Sequence, residues 1–313
     1  MDNKFALGID IGGTNTAFGL VDNNGVIHFH DSVSTTDYSD ASLLIDAIYN
    51  KLQKTKFKSM IAGIGIGAPN GNVFTGSIEF APNLTWKGVI PVGKMFTSRF
   101  NVPSFLTNDA NAAALGEKMY GAAKDLKDFV TITLGTGLGS GVVINDQLVY
   151  GSNGLAGEYG HIRVVQDGRD CACGRKGCLE TYASSTGIVR SISLLESSNK
   201  ESSILNSINT PTAIDIFNSA DNGDLFSQEI IDFTAQILGN SLADFACFSN
   251  PEAFILFGGI AQNGEDFRAN VQRHMEDGLL SIYKDKLEIR TSKLHGENAA
   301  LLGASSLVWG MSS

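Results

Sequence analysis

The chain has 313 residues, 35 of them glycine and six proline, with 33 acidic against 23 basic side chains and a formal charge of −10. At roughly 150 residues per domain this length suggests about two domains, each with its own core; a composition 43% hydrophobic and 18% charged excludes a disordered chain or a small stapled scaffold. The acidic balance makes nucleic acid and anionic membrane surfaces poor partners, and glycine exceeds the usual share by roughly 13 residues.

Residues 5–11, 17–21 and 26–29 read as strands of an antiparallel meander, turned at Gly12-Gly13-Thr14 and at Asp22-Asn23-Asn24-Gly25. The first residues hold an early charge and no signal-peptide apolar core. No run approaches the ~18 apolar residues of a membrane span, so a cytoplasmic protein is expected. Residues 40–54 space Leu43, Leu44, Ala47, Ile48 and Leu52 as an amphipathic helix, and 61–67 is a short, glycine-dense buried strand. After Leu106-Thr107, the run Asn108-Asp109-Ala110-Asn111 opens an alanine-rich helix with an Asx residue at its start.

The opening plan then recurs. Strand 129–134, the turn Gly135-Thr136-Gly137-Leu138-Gly139, strand 140–144 and the Asx turn Asn145-Asp146 repeat the earlier order, so two halves on one plan are expected. A loop-rich insert covers 151–180, and residues 186–248 are largely helical around a polar loop at 197–203. Strand 254–257 ends in Gly258-Gly259, and 297–308 is a final helix. The boundary between halves falls near 117–128, giving a smaller domain of residues 1–117 plus 298–313 and a larger one of 118–297.

Several groups carry chemistry. Gly12-Gly13-Thr14-Asn15 and Gly135-Thr136-Gly137-Leu138-Gly139 are turns whose bare backbone can aim N–H groups at a polyphosphate; neither is a Rossmann or P-loop fingerprint. Asp10, ending the first strand, either helps to hold Mg²⁺ or caps its own turn. His161, Cys171, Cys173 and Cys178 give H-x₉-C-x-C-x₄-C; three thiolates and an imidazole make a closed, structural zinc shell. The isolated Cys247 reads as a core residue, and His28, His30, His274 and His295 have no such context. Glu158 and Glu180 flank the cluster, where a folded metal knot would fix them near a small ligand; either could equally be a solvated surface group. Asp109 is the candidate general base, at a strand-to-helix transition that could also make it only a cap. Asn83, in Ala81-Pro82-Asn83-Leu84-Thr85-Trp86, is a ligand group or turn chemistry.

Taken together, Asp10-Ile11-Gly12-Gly13-Thr14, Ala81-Pro82-Asn83-Leu84, Asn108-Asp109-Ala110-Asn111, Leu134-Gly135-Thr136-Gly137-Leu138-Gly139 and Gly157-Glu158-Tyr159-Gly160-His161 with the three cysteines and Glu180 resemble the ROK family of bacterial sugar kinases and regulators, and within it the glucokinases. The resemblance spans nearly the whole chain. It implies an actin-like, RNase H-like α/β fold of two domains with a zinc-binding loop insert. It also implies ATP-dependent phosphorylation of glucose at the 6-hydroxyl, or of another hexose or N-acetylhexosamine, with Asp109 as base. Asn83, Asn108, Glu158, His161 and Glu180 would bind the sugar; Asp10, Mg²⁺ and the glycine turns would position the phosphates of ATP; and Gly258-Gly259 would lie against the adenosine. His161 would serve zinc and sugar through different ring nitrogens, and a homodimer is common among such proteins. Sugar-responsive repressors of the family carry a helix-turn-helix ahead of the strand ending in Asp10, which is not expected here. Asn15 stands in place of a lysine after Gly-Gly-Thr, and Asn70 in place of a glycine after Pro69.

Overall fold

A computed structural model describes residues 4–262, 265–294 and 298–310; His295, and Glu297 at the expected start of the last helix, lie outside them. The chain opens with β1 (Phe5–Ile11), β2 (Asn15–Val21) and β3 (Ile27–Ser34), then α1 (Ala41–Gln53), β4 (Ile61–Gly67), the short strands β5 (Gly71–Asn72), β6 (Ser77–Glu79) and β7 (Val89–Ile90), α2 (Val92–Phe100), β8 (Ser104–Thr107) and α3 (Asp109–Tyr120). It continues with β9 (Phe129–Leu134), β10 (Leu138–Ile144), β11 (Gln147–Leu148), α4 (Glu180–Ala183), α5 (Ser185–Leu194), α6 (Ala213–Asp221), α7 (Leu225–Ser249), β12 (Ala253–Phe257), α8 (Glu265–Gly278), β13 (Glu288–Thr291) and α9 (Asn298–Gly310).

Two five-stranded sheets have the order β3-β2-β1-β4-β8 and β11-β10-β9-β12-β13. In each, an antiparallel hairpin (β1–β2, β9–β10) lies beside parallel strands (β4 and β8, β12 and β13), so the repeated plan legible in the sequence is a repeated topology. Contacts divide the chain into unit 1, residues 1–125, 148–156 and 293–313, and unit 2, residues 126–147 and 157–292. Residues 148–156 join unit 1 through Asn72, whose amide donates to Asn153 O at 2.9 Å, and through the Phe74–Tyr150 ring contact.

In unit 1, Asp40 caps α1 by accepting from the Ser42 and Leu43 amides, and Leu44, Ile45, Ile48 and Leu52 follow at helical spacing into a core shared with Leu7, Ile9, Phe18, Ile64 and Phe96. Strand glycines let α9 lie on this sheet: a Cβ on Gly8 would sit 2.4 Å from Leu301 O, and one on Gly65 1.8 Å from Ala304 O. β3 runs beyond the expected residue 29 because an edge strand tolerates the polar alternation His30-Asp31-Ser32 while pairing with β2 as far as Asn15↔Ser34. In unit 2 the interior strand residues Val130, Ile132, Phe254 and Leu256 are fully buried, and Gly239 lets α7 and α8 approach closely. Among the described residues no helix is long and apolar enough to cross a membrane.

Candidate active site

The acidic groups of unit 1 are placed by adjoining strand ends. Asp10, the penultimate residue of β1, lies opposite Gly67 of β4, and Gly67 lies opposite Thr107, after which Asn108 and Asp109 begin α3. A Cβ on Gly67 would stand 3.8 Å from both Asp10 Oδ1 and Asp109 Cα, so the glycine leaves the two carboxylates room beside it. Asn108 is the cap of α3: its Oδ1 accepts from the Asn111 amide at 2.7 Å, which leaves its Nδ2 as the outward donor. Asp109 is thereby the first helical residue and free of the capping duty. Its Oδ1 takes the Ala110 amide at 2.9 Å.

Asp109 keeps an open face to solvent, yet the protein crowded around it desolvates its carboxyl and raises the pKa against the lowering pull of that amide. Burial, with the Asp109 charge adding to it, pushes Asp10 up to about 6. Such a shift is what a bound cation would relieve, and a carboxylate is the oxygen donor that Mg²⁺ prefers.

The first glycine turn adjoins this pair. The Gly12 amide is used internally, donating to Asn15 O at 2.9 Å, and the Thr14 carbonyl accepts from Thr35 N at 2.7 Å. The amides of Gly13 and Thr14 have no protein acceptor among the described residues. Gly13 is where the Asn83 loop closes in: a Cβ there would meet Asn83 O at 2.5 Å. Leu84 and Trp86 anchor that loop in the core, with Trp86 Nε1 donating to Tyr38 O, while Asn83 itself is exposed. Asn70 is left-handed at φ 51°, a conformation that glycine also supplies, and its amide holds the Glu79 and Phe80 carbonyls.

In unit 2 the second turn is narrower than its sequence suggests. Gly139 lies inside β10 and donates to Thr133 Oγ1, while the Leu138 amide donates to Glu180 Oε2 at 3.1 Å. The Gly135 amide closes on Gly137 O, so among the described residues the Thr136 and Gly137 amides are the ones left without a protein acceptor. Gly258, at φ 106°, passes against Leu134, the residue before the turn, where a Cβ would come within 2.6 Å of its carbonyl.

His161, Cys171, Cys173 and Cys178 converge, with all ligand atoms within 4.8 Å of one another. His161 Nδ1 is 3.7 Å from Cys171 Sγ, and Cys173 Sγ is 3.7 Å from Cys178 Sγ. A tetrahedral zinc with bonds of about 2.0–2.3 Å separates its ligand atoms by about 3.6–3.8 Å, the spacing of these two pairs, and three thiols with an imidazole are the donor types that the ion takes. His161 closes a 3-10 turn (Tyr159–His161), and Gly160 beneath it admits no side chain because Leu138 O would lie 1.9 Å away. Glu180 Oε1 is 3.8 Å from Cys171 Sγ, and Glu158 is exposed at the head of the turn.

The sequence did not signal Arg169. It crosses the loop, donating to the carbonyls of Thr181 and Gly187 and to Ser191 Oγ, with its guanidinium 4.4 Å from the Tyr182 ring. Lone arginines carry no spacing signature, so only the folded loop reveals it.

The sequence model of the ROK family matches residues 6–310. The chain belongs to the ROK family. A glucokinase of Halalkalibacterium halodurans is 35% identical over 98% of this chain and 96% of its own length. A xylose repressor of Bacillus spizizenii is 31% identical over 97% of the chain but 77% of the repressor. The crystal structure of a ROK family glucokinase from Streptomyces griseus in complex with glucose and AMPPNP has a TM-score of 0.80 and 33% identity, with 97% and 98% of the two chains covered. The α/β fold of this ROK chain, with its two sheets of one plan and its His/Cys loop, is therefore the actin-like one that the motifs implied.

Proposed function

We propose that this ROK protein is an ATP-dependent sugar kinase that phosphorylates glucose at the 6-hydroxyl, with Asp109 as general base. The observation that carries the reading is Asp109 itself: a solvent-reachable carboxylate, released from capping by Asn108, at the strand end beside Asp10, with desolvation holding its pKa above the ordinary carboxylate value. Full-length likeness to two glucokinases supports it.

In this reading Asp109 takes the proton of the 6-hydroxyl as its oxygen bonds to the γ-phosphorus of ATP and the bond from that phosphorus to the β–γ bridging oxygen breaks, releasing ADP. Asp10 would hold the Mg²⁺ of Mg–ATP, whose charge offsets that of the phosphates. The unpartnered amides of Gly13, Thr14, Thr136 and Gly137 are donors of the kind that phosphate oxygens accept, and Gly258 and Gly259 suit close passage of the adenosine. Asn83, the Nδ2 of Asn108, Glu158, His161 and Glu180 are assigned to the remaining hydroxyls, because planar amides and carboxylates pair with vicinal diols. His161 can meet zinc through Nδ1, which faces Cys171, and the sugar through Nε2. Zinc would hold this loop in shape.

Asp109→Asn should keep sugar binding, measured by calorimetry, and lose kcat by at least about a hundredfold. Wild-type turnover would remove Asp109 as the base. Initial rates with ATP across glucose, mannose, fructose, N-acetylglucosamine and N-acetylmannosamine should rank glucose first; an acetamido sugar ahead of it would overturn the glucose assignment and leave the kinase reading standing.

A further inference from the structure

We infer that the metal loop governs the nucleotide side of the reaction as well as the sugar side, with Glu180 and Thr186 as positioning residues that set the 135–138 turn. The inference rests on that turn being a phosphate site, as proposed above.

Three turn residues are held by one short segment. Glu180 Oε2 accepts from the Leu138 amide at 3.1 Å, the Ser185 amide donates to Gly135 O at 2.8 Å, and Thr186 Oγ1 donates to Thr136 O at 2.9 Å. Gly137 lets the Glu180 carboxylate close in on the turn: a Cβ there would fall 2.4 Å from Glu180 Oε2 and push the carboxylate aside. These bonds use two carbonyls and one amide of the turn and leave the Thr136 and Gly137 amides for a ligand. A Gly-Thr-Gly turn without such a clamp would sample many conformations, so the clamp lowers the ordering cost of binding an anion there.

The clamp is itself anchored to the metal ligands. Glu180 is two residues after Cys178, whose carbonyl accepts from both the amide and the Oγ1 of Thr181. The Leu179 amide donates to Ile162 O, next to His161, at 3.0 Å. Ser184 locks the corner between α4 and α5 by donating to Glu180 O at 2.7 Å and accepting from the Gly187 amide at 3.0 Å. The order of residues 178–186 therefore follows from Cys178 and His161 being tied together, and among the described residues no disulfide links the four ligand residues: their common bond would be the metal.

The test compares zinc-loaded, chelator-stripped and zinc-restored protein, with Thr186→Val, Glu180→Gln and Glu180→Ala alongside. AMPPNP affinity is measured without sugar, and hydrogen exchange is followed in the peptide spanning 135–141. Stripping and Thr186→Val should each weaken AMPPNP binding roughly three- to tenfold, the worth of one or two lost hydrogen bonds, and speed exchange at Leu138 or its neighbours. Zinc should restore the stripped protein. Glu180→Gln, whose amide oxygen can still accept from Leu138, should stay closer to wild type than Glu180→Ala. Thr186 is exposed and holds no metal, so its variant decides the matter if stripping unfolds the loop wholesale. Affinities within roughly twofold of wild type, with unchanged exchange at 135–138, would overturn the coupling. A loaded wild-type protein that binds no adenine nucleotide would sink the kinase reading instead, and the exchange data, which need no ligand, would still decide the coupling.

Discussion

At the scale of single residues, the candidate base and its neighbour are held in a state that works against folding. Desolvation raises the carboxyls of Asp109 and Asp10, the latter to about 6, and the Asp109 charge adds to the rise at Asp10. A raised carboxyl keeps its proton to higher pH in the folded protein than in the unfolded chain. Stability therefore falls as pH rises from the ordinary value of 3.8 through about 6, and stays low above it. Asp109→Asn removes one charge of the pair. In metal- and nucleotide-free protein it should melt above wild type at about pH 8, and the gap should narrow as pH falls and close below about pH 3, where both carboxyls are protonated in the folded protein and the unfolded chain alike. Equal melting temperatures at both pH values would mean that neither carboxylate is strained. The identity of Asp109 was legible because Asn108-Asp109-Ala110-Asn111 is a local pattern. Which turn amides are free was not, because Leu138 is claimed by Glu180, 42 residues away, and Gly139 by the opposite strand.

Among the elements, the 25-residue α7 shows how one end residue ties distant pieces together. Asp224 caps it, Oδ1 accepting from the Ser227 amide at 2.8 Å, while Oδ2 accepts from the Ile204 amide in the preceding 3-10 turn. Burial pushes this carboxyl up, but the hydrogen bonds from Ser227, Ile204 and Ser203 outweigh it and leave the pKa below 3.8. For a depressed carboxyl the stabilisation is present above the ordinary value and is lost as pH falls through the folded one. Asp224→Ala should thus cost about 1–2 kcal/mol by denaturant unfolding near neutral pH and less below about pH 3; the same cost at both would show that the charge is immaterial. The longer strands β1, β4 and β9 have the bounds that their sequence suggests, since each is a continuous buried run. β5, β6 and β7 are two or three residues long and exist only through their pairing, which leaves no periodicity to read. Part of the glycine surplus has the same character: Gly8 and Gly65 answer the approach of α9.

For the whole molecule, a chain of net charge −10 that is to take a polyanion, as proposed, would have to offset its own field locally, through backbone amides and bound cations. Its division into units decides how far each cation's influence reaches. Unit 1 gathers residues 1–125 with two later returns: 293–313, close to the expected 298–313, and 148–156, which no composition change announces and which depends on contacts such as Asn72 with Asn153 that only the folded chain makes. All four candidate zinc donors belong to unit 2, as do Arg169 and the segment 178–186, whereas the sheet carrying Asp10 packs against α1 and α9 within unit 1. Protein purified without added zinc should contain about one zinc per chain by elemental analysis. Chelation should then raise hydrogen exchange across residues 157–187 and leave β1 and β4 as protected as before, because no zinc ligand is wired into their core. Loss of protection in β1 and β4 on chelation would show instead that the two units unfold as one cooperative body, and active protein with no zinc would show that His161 and the three cysteines hold the loop unaided.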